Sequence, residues 1–231
     1  MNDKRISLTI DDLPFVSMGV SLHEIEEATA RIHGHLEKCG ISAVGFVIGQ
    51  EVSDDRRSSI LKSWQDKGHF LGNHTFSHLS LSKVLLEIFI EDVEKNERIL
   101  DAFWNAASYK ERYFRLPYLQ RGNTEKYNGI KAFLSQRPYT LVPVTVNSFD
   151  FIFNAVFVHA YKNKDKSAVK NVISAYLAHI EALLQYHERA MSNKIGRAID
   201  HILLLHANLL NACCLDKVAA VLAKNGYRIP P

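Results

Sequence analysis

Short apolar, β-rich segments alternate with longer helical patterns along the whole chain, and this alternation restricts the fold more than any other feature. Residues 6–10 predict an early strand, and residues 202–205 predict a late one that runs into His206. Strands that alternate with helices favour a parallel sheet, so the pattern predicts an α/β fold. In a parallel barrel the strands end at one face, where the side chains that follow them meet.

Composition and charge exclude several classes of protein. Hydrophobic residues make up 47% and charged residues 23% of the 231 residues, which is typical of a globular chain and not of a disordered one. The length predicts a single domain over residues 1–231. A net charge of +3 without a dense basic run predicts no nucleic-acid partner. Because no apolar run approaches ~20 residues, we expect no membrane span.

Cysteine usage and the chain start give two weaker expectations. The three cysteines Cys39, Cys213 and Cys214 include no CxxC pair, so we expect free thiols and no cysteine zinc site. A strand predicted from Ile6 leaves no room for a signal peptide. We therefore expect a cytoplasmic protein as the sequence stands, or a periplasmic or secreted one if a leader was removed.

Two segments give specific helix predictions. Ser21 and Glu24 form a capping-box pattern, which predicts a helix from there to about Cys39 that is ended by Gly40. His33 is expected on its solvated side. A second helix is predicted over residues 165–189, and ~25 residues would make it ~37 Å long. We expect it to pack on the outside of a barrel, with a homodimer contact as the alternative.

Polar residues that could carry chemistry follow the predicted strands. Asp11 and Asp12 are adjacent, and His74 and His78 lie four apart, which on a helical turn would place both imidazoles on one face. Two imidazoles and a carboxylate are a ligand set for a divalent metal ion. Each group alone also fits a structural role as a turn, a cap, a salt bridge or a surface histidine. Further single polar residues at predicted strand ends are Arg115, Asp150 and His206.

Taken in order, these clusters resemble the five motifs of the polysaccharide deacetylase family, also called the NodB homology domain or carbohydrate esterase family 4. The motifs Thr-Phe-Asp-Asp, His-Ser/Thr-x-x-His and Arg-x-x-Pro-Tyr are similar to Thr9-Ile10-Asp11-Asp12, His74-Thr75-Phe76-Ser77-His78 and Arg115-Leu116-Pro117-Tyr118. The motifs Asp-x-x-Asp-Trp and Leu-x-His are similar to Asn147-Ser148-Phe149-Asp150-Phe151 and Leu204-Leu205-His206.

Two features depart from the family pattern. Asn147 and Phe151 replace an aspartate and a tryptophan in the fourth motif, which changes the polarity expected of the pocket. The segment between Phe151 and His206 is also long for the family and contains the helix predicted over residues 165–189. Residues 140–146, just before the fourth motif, are predicted as one strand whose pairing Pro143 limits.

The resemblance implies a fold, an activity and a substrate. The fold is a deformed (β/α) barrel of seven strands, with an extra helical segment before the last motif. The activity is hydrolytic removal of acetyl groups from N-acetylated or O-acetylated carbohydrate, which is hydrolysis of a carbon–nitrogen bond other than a peptide bond in the first case. The partner is an acetylated sugar polymer or oligosaccharide.

The resemblance also implies a role for each motif residue. One divalent ion is held by Asp12, His74 and His78, with zinc expected first and cobalt, nickel or iron(II) as alternatives. Asp11 is the general base, and His206 is the acid that protonates the leaving group. The supporting residues are Arg115, which holds Asp11; Asp150, which orients His206; Tyr118, whose backbone N–H stabilises the oxyanion; and Leu204, which lines the acetyl-methyl pocket.

Two other functions remain open. Some relatives of the same fold are cyclic-amide hydrolases, which often lack the full metal set, and the presence of Asp12, His74 and His78 favours the deacetylase. A glycan-binding pseudoenzyme is the other alternative. Only the altered fourth motif supports it, because the base and acid positions, Asp11 and His206, are intact.

Overall fold

The computed structural model of the chain describes residues 4–15, 19–107, 111–195 and 199–230. Within them parallel strands alternate with helices, as an α/β fold requires. The helices are α1 (Leu22–Cys39), α2 (Asp55–Asp66), α3 (Leu86–Ala107), α4 (Thr124–Ser135), α5 (Asp150–Lys162), α6 (Lys166–Ile195) and α7 (Leu209–Lys224). The strands are β1 (Lys4–Leu13), β2 (Val44–Val47), β3 (Phe70–Asn73), β4 (Arg112–Phe114), β5 (Tyr139–Leu141), β6 (Val146–Asn147), β7 (His201–His206) and β8 (Tyr227–Arg228).

The chain divides into two compact units, and β1 contributes residues to both. The first unit comprises the described residues of Met1–Thr9, Ser17–Ala43 and Val144–Pro231, and the second comprises those of Ile10–Val16 and Val44–Pro143. Each unit has strands and helices of its own and is described separately.

In the second unit, β2, β3, β4 and β5 follow one another in a parallel sheet. Its core lies between that sheet and the helices α3 and α4, because both helices place apolar residues on one side. The buried cluster there consists of Leu81, Phe89, Val93, Phe114, Leu116, Ile130 and Leu134. Since parallel strands all end at the same edge, the residues that follow β3 and β4 lie near one another.

In the first unit, β6 pairs in parallel with β7, and β8 pairs in parallel with the start of β1. Helices α5, α6 and α7 contact one another, and α7 also packs along α1. Helix α6 has 30 residues, and its buried line consists of Tyr176, Ile180 and Leu184. Helix α6 packs on α5 and α7. Its position on the outside of a barrel and the homodimer contact both remain predictions.

The ends of helix α1 were predicted accurately from local sequence signals. Helix α1 begins after Ser21 with both capping-box hydrogen bonds and ends at Gly40, which takes a left-handed φ of 64°. Its His33 is buried, however, so the prediction that it is solvated was wrong. The residue lies on the same side of α1 as Ile32 and Leu36, both of which are buried. All three cysteines are free, as expected.

Around residues 138–162 one prediction was wrong and one helix was missed. Residues 140–146 form two short strands, since β5 ends before Pro143 and pairs with β4, whereas β6 pairs with β7. Proline lacks the N–H that a continuous ladder needs. Helix α5 was not predicted, because its sequence is apolar on most sides and gives little helical periodicity. Within the described residues, no helix is long and apolar enough to cross a membrane.

The capping box gives a stability prediction. Ser21→Ala removes the hydroxyl that accepts the Glu24 N–H at 3.3 Å, and we expect the free energy of unfolding to fall by about 1 kcal/mol. Chemical denaturation would measure it. Ser167→Ala, at an exposed position of α6, is the matched control and should change stability by less than about 0.5 kcal/mol. Equal effects of the two substitutions would contradict the capping role.

Candidate active site

The second unit holds a group of polar side chains at the ends of its strands. Asp11 and Asp12 lie near the end of strand β1, and the backbone of Asp12 takes a left-handed φ of 67°. The left-handed region breaks the alternation of a strand, and aspartate is one of the few residues that adopt it readily. Asp11 is 2% exposed, whereas the side chain of Asp12 is 18% exposed. The adjacent carboxylates therefore have different environments.

His74 and His78 lie in the loop after β3 and not on a helical turn, so a helix face is not what brings them together. Their rings are nevertheless 4.9 Å apart between centroids. The loop bends through two left-handed residues, Thr75 and His78. A β-branched threonine adopts this region only when its surroundings impose it.

Two residues of α3 impose that loop conformation, and sequence analysis identified neither. The Asp92 carboxylate accepts hydrogen bonds from the Ser77 N–H and the Ser77 hydroxyl, both at 2.9 Å. Asn96 donates to the Asn73 side-chain oxygen at 2.9 Å, and that oxygen also accepts the Thr75 N–H at 2.8 Å. Asp92 and Asn96 lie beyond the motif in sequence, and only the fold shows that they support it.

The arrangement of Asp12, His74 and His78 fits a divalent metal ion. A donor atom from each lies within 4.8 Å of the other two. The Nε2 atoms of His74 and His78 lie 3.7 Å and 3.6 Å from one Asp12 oxygen, and ligands ~2.1 Å from a zinc ion are separated from one another by roughly 3 to 4 Å. Asp11 contributes a second carboxylate oxygen 3.7 Å from His74 Nε2.

The tautomer of His74 supports the same conclusion. Its Nδ1 lies 2.9 Å from the Arg115 carbonyl oxygen, and a carbonyl can only accept, so Nδ1 carries the hydrogen. In the neutral ring, Nε2 then presents its lone pair towards the carboxylates of Asp11 and Asp12. A metal ion or a proton on Nε2 would offset this charge, and a carbonyl partner on the other nitrogen is typical of metal-ligating histidines.

Arg115 follows β4 and is 0% exposed. Its Nη1 donates to Asp11 Oδ1 at 2.6 Å, and its guanidinium lies 4.3 Å from the centroid of the Phe46 ring. The Phe46 ring in turn occupies the space above Gly72, where a Cβ atom would come within 2.6 Å of it. The guanidinium is thus held between the Asp11 carboxylate and the Phe46 ring.

Tyr118 lies beside this cluster, on a single 3-10 turn after Leu116. Its backbone takes a φ of 56°, and its ring centroid lies 4.4 Å from that of His78. The side chain is 62% exposed. The second unit therefore brings together six of the predicted site residues, namely Asp11, Asp12, His74, His78, Arg115 and Tyr118.

The first unit brings the remaining three together, Asp150, His206 and Leu204. Asp150 is the first residue of α5 and is fully buried. Its Oδ1 lies 2.6 Å from His206 Nδ1, and its Oδ2 accepts the His206 N–H at 2.8 Å. Because an ionised carboxylate only accepts, Nδ1 is the nitrogen of His206 that carries the hydrogen in this pair. Leu204 lies two residues before His206 on β7 and is 4% exposed.

Sequence analysis missed three residues that support this pair. Asn208 and Asn211 donate to Asp150 Oδ2 at 2.9 Å and 2.6 Å, and the Tyr176 hydroxyl donates to the Asn211 oxygen at 3.2 Å. Burial raises the pKa of the Asp150 carboxyl, but the adjacent His206 and the hydrogen bonds outweigh it, and the pKa lies below its ordinary value. The available sequence signal was the pair of polar residues Asn208 and Asn211, three apart just after the last motif. Asn208 also caps α7.

The two departures in the fourth motif have structural roles. The Asn147 oxygen accepts the Phe149 N–H at 3.0 Å, which shapes the turn into α5, and an aspartate carboxylate could accept it too. The Phe151 ring lies edge-on to the His206 imidazole, with centroids 5.8 Å apart. An aromatic ring thus still covers one side of the imidazole.

Comparison with known proteins identifies the family. Residues 1–132 match the family model described as polysaccharide deacetylase, and the chain belongs to that family, as its motifs indicated. A peptidoglycan-N-acetylglucosamine deacetylase of Bacillus cereus is 30% identical over 117 residues, which are 51% of this chain and 37% of the relative. The chain thus matches little more than a third of that relative's length.

Two solved structures show the fold. A chitin deacetylase from Colletotrichum lindemuthianum is 18% identical, with a TM-score of 0.68 over 99% of this chain and 85% of its own. A carbohydrate esterase family 4 pseudoenzyme from Bacillus anthracis is 20% identical, with a TM-score of 0.65 over 99% and 63%. The predicted fold class, α/β with the deformed-barrel topology of this family, is confirmed.

The buried ion pair of the second unit gives a stability prediction. Arg115→Met leaves the Asp11 charge without its guanidinium, and we expect it to lower the free energy of unfolding by about 3 kcal/mol or more. Adding Asp11→Asn should restore most of the loss, because it removes the stranded charge. Arg137→Met is the control, since its pair with Glu94 is partly exposed and worth about 1 kcal/mol or less. Equal losses in the two single variants, measured by denaturation, would refute the role of the pair.

The lowered pKa of Asp150 predicts a pH dependence. Folding favours the ionised form, so this stabilisation is present above the unfolded pKa of ~3.9 and is lost as pH falls through the lower folded value. Asp150→Asn should cost about 2 kcal/mol at about pH 5, and the difference from wild type should shrink towards about pH 3. Denaturation over that range measures it, with the exposed Asp66→Asn as control. A difference that does not change with pH would contradict this assignment.

Proposed function

We propose that the chain is a metal-dependent hydrolase that removes acetyl groups from N-acetylated or O-acetylated carbohydrate. The observation that carries the proposal is the cluster of Asp12, His74 and His78, with a second carboxylate, Asp11, held beside it by a buried arginine. Its donor set and spacing suit one zinc-type ion, with cobalt, nickel or iron(II) as chemically allowed alternatives. A bound ion would polarise the acetyl carbonyl and lower the pKa of water.

Asp11 is proposed as the general base. The Asp12 carboxylate lies against the nitrogens of both histidines, whereas Asp11 gives one oxygen to Arg115. The ion pair would favour the ionised form of Asp11, which a base requires, and the other Asp11 oxygen, 3.7 Å from His74 Nε2, is the one proposed to take a proton from water. The pair also fixes the direction in which this oxygen points, because the guanidinium is fully buried.

His206 is proposed as the general acid. Its Nδ1–H is committed to Asp150, so Nε2 is the nitrogen that carries a proton to the leaving amine or alcohol. Asp150 stabilises the protonated ring and fixes its tautomer. The backbone N–H of Tyr118 is the proposed oxyanion donor, and Leu204 the proposed wall for the acetyl methyl group.

The alternatives are less well supported. A cyclic-amide hydrolase that lacks a full metal set would not need the three clustered donors. A pseudoenzyme would not need a buried arginine on the base or four hydrogen bonds on the carboxylate behind the acid. Two of the relatives named above are described as deacetylases of peptidoglycan and chitin, which makes acetylated amino-sugar polymers the first substrates to test.

The test is acetate release from acetylated chito-oligosaccharides and from peptidoglycan fragments, together with metal analysis of the purified protein. We expect acetate release that is lost on chelation and regained with zinc or cobalt, at about one ion per chain. An acetylated xylo-oligosaccharide tests the O-acetyl alternative. Protein loaded with metal that releases acetate from none of these substrates would refute the proposal.

The two aspartates should behave differently when each is neutralised. Asp11→Asn is expected to lower kcat by about 10³-fold or more while metal content is unchanged, because a base is removed and a ligand is not. Asp12→Asn is expected to lose metal and activity together. Asp92→Asn, which alters the loop support and not a ligand, is the control for indirect effects on metal content. Equal loss of metal in the Asp11 and Asp12 variants would contradict the division of roles.

A further inference from the structure

A cavity of about 880 Å³ lies in the first unit and shares no lining residue with the sites above. It opens between the start of α1, the end of α5, the first turns of α6 and the middle of α7. Its volume is within the range of small-molecule sites, roughly 300 to 1,000 Å³. The cavity is built on the long segment between the fourth and fifth motifs, for which the proposed reaction gives no role.

The floor of the cavity is an apolar line on α6. Val169, Ile173 and Leu177 recur every four residues and are half-buried, whereas the neighbouring line of α6 that contains Tyr176 and Ile180 is fully buried. Residues spaced by four lie on one face of a helix. The line runs ~12 Å along α6, so an extended apolar chain can lie along it.

The rim of the cavity is basic. Among the described residues, none of its five lysines forms a salt bridge, and only Lys162 has a hydrogen bond from its ammonium group, to the Gly19 carbonyl oxygen. An ammonium group without a carboxylate partner is available to an anion. The other four lysines are Lys164, Lys166, Lys170 and Lys217.

The acidic groups nearby have other partners, and Glu24 in addition interacts electrostatically with Lys162. The Glu24 carboxylate accepts the N–H and the hydroxyl of Ser21, both at 2.7 Å. Asp165 accepts the Ala168 N–H at 2.9 Å at the start of α6, and Asp216 lies 3.5 Å from His35. The lysines therefore give the mouth of the cavity a net positive charge above an apolar floor.

We propose that this cavity binds a single-chain amphiphilic anion, with a carboxylate or phosphate head held by the lysines and an apolar chain along the Val169–Leu177 line. Both parts of the site are needed for this ligand. A neutral chain would leave the ammonium groups without a partner, and a small inorganic anion would leave the apolar floor uncovered. The proposal is independent of the deacetylase activity.

Isothermal titration of the 231-residue chain with monomeric dodecanoate tests the proposal. We expect saturable binding of dodecanoate and of dodecyl phosphate, with hexanoate weaker by about tenfold or more and dodecyl maltoside and dodecyltrimethylammonium not bound. Equal binding of the neutral or cationic chain, or no binding of dodecanoate, would overturn the proposal. So would binding only to vesicles that contain phosphatidylglycerol, because the site would then recognise a lipid surface.

Substitutions locate the site. Lys166→Glu with Lys170→Glu should weaken dodecanoate binding by about tenfold or more. Ile173→Asp should weaken it to a similar degree, because it places a charge on the apolar floor. The control is Lys83→Glu with Lys131→Glu, two exposed lysines outside the cavity that change the net charge equally. The affinity of the control variant for dodecanoate should stay within about twofold of the wild-type affinity. Equal weakening of binding by the two double variants would show that only net charge matters and would overturn the proposal. If one variant fails to fold, the wild-type titrations still decide whether the proposal holds.

Discussion

The candidate active site depends on the position of Arg115. Its guanidinium neutralises Asp11, one of two adjacent carboxylates that would otherwise repel each other at the end of β1. Its backbone carbonyl accepts the Nδ1–H of His74, which turns Nε2 towards Asp12. One residue therefore sets both the charge of the proposed base and the orientation of a proposed ligand. Since it is completely buried, neither contact can be replaced by water.

The sequence predicted those parts of the structure whose causes are local. The capping box at Ser21 and the αL residue Gly40 bounded α1 because both act within a few residues. The apolar strand before His206 was predictable from its length and composition. The motif residues were predictable through their order, and the structure groups them in two sets, one within each unit.

The parts that could not be predicted depend on contacts distant in sequence. Residues 140–146 carry strand propensity throughout, yet β5 and β6 pair with different neighbours, and only the sheet reveals this. Asp92 and Asn96 look like ordinary polar positions of a helix until the loop after β3 lies against them. The left-handed conformations of Thr75 and Tyr118 have no local signature either, because neither is a glycine or an asparagine.

The close approach of Phe46 to Gly72 limits how this site can change by single substitutions. A Cβ atom at residue 72 would meet the Phe46 ring at 2.6 Å and the Tyr113 carbonyl oxygen at 3.1 Å. The ring can give way only by leaving the guanidinium of Arg115. A mutational library built one position at a time would therefore score Gly72 as invariant. A library that varies residues 46 and 72 together, with a smaller side chain at 46, would reach sequences that single steps cannot.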